Sequence, residues 1–130
     1  MSDTLTGGCA CGAVRFTLTG APEFAFFCQC RDCQQMTGSD HAAQVCHMTD
    51  RFEALGETRS WSRDSAHGST VTKHSCPTCA SPLWGTTTRA PAITMVMAGA
   101  LDTPAAVTPD RIFFADERID WDHASVPASE

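Results

Sequence analysis

Phe27-Cys28-Gln29-Cys30-Arg31-Asp32-Cys33-Gln34-Gln35-Met36-Thr37-Gly38-Ser39 places three thiols within six residues, as C-x-C-x-x-C. Two further clusters flank it: Cys9-Ala10-Cys11 upstream and Cys76-Pro77-Thr78-Cys79 downstream. Seven of the eight cysteines fall in these clusters, and only Cys46 stands apart. In a tetrahedral zinc site, Zn–S bonds of ~2.3 Å put the sulfurs roughly 3.8 Å apart. C-x-C on extended chain reaches that spacing because residues i and i+2 point to the same side. C-x-x-C reaches it through a tight turn, for which the preset φ of Pro77 is suited.

Four thiols fill a zinc shell and three leave one position open. The two outer pairs therefore combine into a closed, structural site of Cys9, Cys11, Cys76 and Cys79. Cys28, Cys30 and Cys33 are left to hold a second ion, one ligand short. The expected cofactor is zinc, two ions per chain, and an open position marks a catalytic rather than a structural ion. Two other readings stay open. One is a redox disulfide at Cys76–Cys79, although no thioredoxin-like βαβ pattern surrounds it. The other is a purely structural triplet site closed by a fourth side chain, with Cys46, His47 and His41 as candidates. Taken singly, Cys46 reads as a buried, inert thiol. His41 and His47 read as surface or packing residues, and His67 and His74 have no paired spacing. Asp32, inside the triplet, reads as a turn former.

The chain has 130 residues, enough for one domain. A single domain is expected over residues 7–123, with 1–6 and 124–130 as flexible termini. Nine basic and fifteen acidic residues give a net charge of −6. No basic stripe appears, which argues against nucleic acid and anionic membranes as partners. No apolar run approaches the ~20 residues of a membrane span, and the N-terminus lacks a secretory pattern. A cytoplasmic protein is expected. In that reducing setting, clustered cysteines are metal ligands rather than disulfides.

Elsewhere the pattern is one of short strands. Residues 13–19 alternate, with Val14, Phe16 and Leu18 on one face. Strands are also expected at 24–27, 41–48, 51–55, 58–62, 70–74, 82–86 and 93–98, and a loop rich in Pro and Ala leads to Arg111-Ile112-Phe113-Phe114-Ala115. One short helical turn is expected at 32–37, stopped by Gly38. Trp121 is expected to fold back onto the core. Frequent Gly and Pro punctuation makes this a mainly β chain.

Gly8-Cys9-Ala10-Cys11-Gly12-Ala13-Val14-Arg15-Phe16, then Cys28-Gln29-Cys30-Arg31-Asp32-Cys33, Thr37-Gly38-Ser39 and Cys76-Pro77-Thr78-Cys79 resemble one known family. It is the glutathione-dependent formaldehyde-activating enzyme family, whose domain is shared with the centromere protein V group. The ending Gly99-Ala100-Leu101-Asp102, Pro109, Ile112-Phe113 and Trp121 is similar too. The resemblance implies a β-tent fold of zinc-clipped, mostly antiparallel sheets. It also implies a structural zinc at Cys9, Cys11, Cys76 and Cys79, and a catalytic zinc at Cys28, Cys30 and Cys33. The implied activity joins glutathione and formaldehyde into S-hydroxymethylglutathione, a carbon–sulfur lyase reaction run in reverse. Ser75 and Ala80 depart from the family, which has an aromatic residue and a glycine there. Alanine takes φ > 0 less readily than glycine, so a slightly different knuckle is expected.

The expected partner is a small thiol or thiol–aldehyde adduct. An anionic thiol would need local cations, for which Arg15, Arg31 and Lys73 are candidates. His41 and Asp40 are candidates for moving a proton. The competing function is a non-catalytic zinc-stabilised binding module.

Overall fold

Alternation along the strands decides how this chain packs. The computed structural model describes residues 4–126. Its elements in chain order are β1 (Leu5–Gly8), β2 (Arg15–Leu18), β3 (Phe24–Cys28), α1 (Arg31–Thr37), β4 (Ala42–Met48) and β5 (Phe52–Leu55). They continue with β6 (Arg59–Asp64), β7 (Thr70–Ser75), β8 (Pro82–Thr87), β9 (Ile93–Met97) and β10 (Arg111–Phe113). The fold is mainly β, with a single short α-helix among the described residues.

The strands form two sheets. One has three strands in the order β1-β2-β5, and the other has seven in the order β10-β3-β4-β9-β8-β7-β6. Pairing is antiparallel except between β10 and β3, which run parallel. This accords with the expected mostly antiparallel sheets. The chain enters β10 from a long loop rather than a hairpin, which permits either direction.

On one face of the larger sheet, Ala25 pairs with Val45, Val45 with Val96, Val96 with Trp84 and Trp84 with His74. This face packs against Val14, Phe16 and Leu18, all fully or nearly fully buried, to make the main core. Rings tighten it: Trp84 meets Phe16 and Phe52 edge-on and stacks on His74 at 4.9 Å. His74 is thus a packing residue, as is His47. His47 is buried, and its Nε2 donates to the Thr19 carbonyl at 2.9 Å.

The opposite face presents the alternate residues. Phe24 pairs with Cys46, Cys46 with Met95, Met95 with Gly85, Gly85 with Lys73 and Lys73 with Trp61. This row crosses six strands, and among the described residues no second sheet covers it.

Two expectations are revised. Residues 5–8, read as terminal chain and a glycine turn, pair with β2 as a strand. Thr6 further anchors this segment, its hydroxyl donating to Asp102 at 2.7 Å. Trp121 does not fold onto the core and is 59% exposed. The buried residue there is its neighbour Asp122. The Ala124 N–H bonds Asp122 at 2.9 Å. Residues 1–3 and 127–130 lie outside the described residues.

Candidate functional site

The outer cysteine pairs come together in space. Cys9, Cys11, Cys76 and Cys79 offer sulfurs within 4.8 Å of one another. Cys9 and Cys11 are 3.6 Å apart, and Cys11 and Cys76 are 3.7 Å apart. These match the edge of a zinc–thiolate tetrahedron, ~3.8 Å. Backbone amides surround the sulfurs. Val14 N–H donates to Cys9, and Thr78 and Cys79 N–H groups donate to Cys76, at 3.2, 3.4 and 3.5 Å. Such outer-shell donors stabilise thiolates and orient ligands. The Ser81 hydroxyl beside Cys79 brings its thiol down to about 5. Burial pushes Cys9 up, but the Val14 N–H and the neighbouring Cys11 and Cys76 carry it below the usual thiol range.

The knuckle is closed by Ala80, whose N–H bonds the Cys76 carbonyl at 2.9 Å. Ala80 sits at φ 66. The backbone therefore keeps the left-handed turn that a glycine would favour, and alanine bears the strain.

The triplet also converges: Cys28, Cys30 and Cys33 lie within 4.8 Å of one another. Cys28 arrives on the end of β3. Cys30 is the N-cap of α1, its sulfur accepting from Cys33 N–H at 3.3 Å. Gly38, at φ 69, ends the helix one residue after Thr37. The three sulfurs compete for charge. Contacts from Cys28 and Cys33 hold Cys30 down at about 2. The contact with Cys30 pushes Cys28 up to about 11, and Cys33 rises as well through Cys28 and Cys30. A divalent cation removes this competition by ionising all three. Both cysteine sets therefore fit a thiophilic metal ion.

The two sets differ in what surrounds them. The triplet opens onto a cleft of about 880 Å³ that runs along the uncovered face of the seven-stranded sheet. Cys28, Cys30 and Cys33 all line it, and Gln44 on β4 donates to Cys33 at 3.6 Å. Arg59, Arg63, Lys73 and Arg89 line it too, against the carboxylates of Asp32 and Glu117. Asp32 is not merely a turn former. It forms ion pairs with Lys73 and with Arg63, the latter 3.0 Å away.

Of the three expected cations, only Lys73 reaches the cleft. Arg15 is held by Asp102 on the three-stranded sheet, where that pairing and Thr6 keep the Asp102 carboxyl down at about 2. Arg31 turns to Gln34, 3.0 Å away. Arg59 and Arg63 were missed in the sequence. Their signal was the alternation of β6, which sets Arg59, Trp61 and Arg63 on one face.

None of the three fourth-ligand candidates joins the triplet. Cys46 is buried on the cleft face, and burial raises its thiol. His47 faces the core. His41 forms a separate group with Asp40 and Asp122, its Nδ1 lying 3.3 and 3.1 Å from their carboxylates. Neither Asp40 nor His41 lines the cleft, so the two expected proton carriers stand apart from it. Gln29, between the first two triplet cysteines, is fully buried and donates to Asp122 at 2.9 Å.

Similarity to known proteins bears on the family and the fold. Residues 4–117 match the family described as "Glutathione-dependent formaldehyde-activating enzyme". A Halomonas elongata protein provisionally named a glutathione-dependent formaldehyde-activating enzyme is 30% identical over 123 residues, covering 90% of this chain and 78% of that protein. The fold is similar to that of a Rhodobacter sphaeroides protein solved by crystallography. That match has a TM-score of 0.63 and 17% identity, and covers 82% of this chain and 98% of the other. With its cysteine clusters assembled and its sequence matched from residue 4 to 117, the chain belongs to the glutathione-dependent formaldehyde-activating enzyme family.

Proposed function

We propose that the protein is a cytoplasmic zinc enzyme of carbon–sulfur lyase type that makes or breaks the bond between a thiol and an aldehyde carbon. Glutathione and formaldehyde are the pair suggested by its relatives' names. The observation that carries the reading is the placement of Cys28, Cys30 and Cys33 on the wall of an open cleft. Cys9, Cys11, Cys76 and Cys79 line no part of it, as suits a structural site.

Zinc held by the triplet would lower the pKa of a substrate thiol and favour its thiolate. The protein's own residues do the rest. Cys30 and Cys33 are fixed by the first turn of α1, and Cys28 by the β3 ladder, so the three donors are preorganised. Gln44 orients Cys33. Four cations against two carboxylates make the cleft positive in a protein of net charge −6. That local inversion favours an anionic thiol.

The test is metal content together with turnover. The purified protein is expected to hold two zinc ions and to convert a thiol and aldehyde to the adduct. The double variant Cys30→Ser with Cys33→Ser is expected to keep one ion and its fold while losing at least about 100-fold in turnover. An unchanged rate in a folded double variant defeats the reading. Two inert ions with no turnover would favour a binding module.

A further inference from the structure

The cleft is larger and more apolar than a one-carbon adduct requires. Its volume of about 880 Å³ lies toward the top of the range for small-molecule pockets, ~300–1,000 Å³. Its floor is built from the alternate residues of the central strands: Phe24 and Phe26 on β3, Cys46 on β4, Met95 and Met97 on β9. These side chains form a second apolar cluster, distinct from the main core. At its mouth stand Trp61, Phe113 and Phe114, 59%, 38% and 50% exposed. They are three of the five large apolar side chains that the described residues leave exposed. Phe114 is held at φ 61, a conformation uncommon for an aromatic residue. Three of the four cleft cations gather on β6 and β7, Arg89 follows β8, and Arg111 of β10 lies over the outer floor residue Phe24 at 3.9 Å. Arg59 and Arg63 flank Trp61 on β6, and Lys73 pairs with Trp61 on the next strand.

A polar tripeptide thiol carrying a single hydroxymethyl carbon would satisfy the cations and the triplet but leave the floor wet. From this asymmetry we infer that the adduct this cleft takes carries a large apolar group. It is an anionic thiol joined to an aldehyde carbon that bears an aromatic or medium-chain alkyl substituent. The inference rests on the thiol–aldehyde reading of the triplet. Its sulfur lies at Cys28, Cys30 and Cys33, its apolar substituent on Phe26, Met95 and Met97, and its carboxylate toward Arg59 and Arg63. The chemistry is an addition without redox change. The thiol sulfur bonds the aldehyde carbon and the carbonyl π pair moves to oxygen. That oxygen gains a proton, and the thiol loses one.

Calorimetry on the zinc-loaded protein with unreactive thioethers tests the inference separately from turnover. S-hexylglutathione is expected to bind at least about tenfold more tightly than S-methylglutathione, because the longer chain buries more apolar surface. Met95→Gln, which conserves length, and Trp61→Ala, which changes an exposed side chain, are each expected to bring that ratio toward one. Equal affinity for the two thioethers, with formaldehyde and glutathione turned over normally, overturns the inference and leaves the proposed function standing. Tight S-hexylglutathione binding without turnover of any aldehyde does the reverse. It keeps the ligand class and removes the reaction.

Discussion

Ala80 carries a conformation that its side chain resists. At φ 66 an L-residue other than glycine is strained by roughly 1–2 kcal/mol. Glycine removes that strain but raises the entropy of the unfolded chain, which offsets about 0.4–1 kcal/mol. Ala80→Gly is therefore expected to stabilise the protein by up to about 1 kcal/mol, seen as a melting temperature higher by about 2–5 °C. A lower melting temperature would mean that the alanine methyl contributes packing that outweighs the strain. The cysteines themselves were legible in the sequence because their spacing is local. Cys9 with Cys11, and Cys76 with Cys79, fall on backbone shapes that two or three residues determine. The roles of Asp32, Arg59 and Arg63 were not, because each depends on what a distant strand brings opposite. Lys73 lies 41 residues from its partner Asp32.

At the scale of elements, the junction between β3, α1 and β4 depends on the buried carboxylate of Asp122. It accepts from the Gln29 side chain and the Ala124 N–H, both at 2.9 Å, and lies 3.1 Å from His41 Nδ1. Arg118 binds its backbone carbonyl at 2.9 Å. Burial pushes the carboxyl up, but the Ala124 N–H, Gln29 and His41 outweigh it and hold it below the usual range. A depressed carboxylate contributes stability that is present above its unfolded pKa and lost as pH falls through its folded pKa. Asp122→Asn is expected to destabilise the protein by about 1–3 kcal/mol at neutral pH. Below about pH 4 its melting temperature should fall less steeply than that of the parent. Parallel curves down to pH 2 would show that the carboxylate charge does not matter. The tail gave no such signal in sequence. Trp121 drew attention as the large apolar residue, yet Asp122 is the one inside, because a carboxylate can bring three donors together and an indole cannot. Strand positions fared better. Val14, Phe16 and Leu18, picked out by alternation, are all in the core.

For the whole molecule, the four-cysteine set joins the beginning of the chain to its middle. Cys11 and Cys76 are 65 residues apart in sequence and 3.7 Å apart in space. An ion there closes a long loop, and its binding free energy counts toward folding. On the proposed two-zinc reading, treatment with a strong chelator is expected to lower the melting temperature sharply. Cys79→Ser should lower it far more than Cys30→Ser, whose site joins residues only five positions apart in sequence. Equal losses in the two variants would argue that the triplet also holds the fold together. The mainly β class could be read from strand patterns and punctuation. The seven-strand order could not, because β10 joins β3 and β6 forms the far edge through pairings that no local pattern encodes.

The seven-stranded sheet separates two kinds of inheritance. Along β4 and β9, Val45 and Val96 hold the two sheets together, while Cys46 and Met95, one position away, face the cleft. Substitutions can accumulate on the cleft side without disturbing the layer beneath it. Descendants of such a chain can diverge in what they accept while remaining alike in architecture. Ligand choice and architecture are thus set by alternate residues of the same strands.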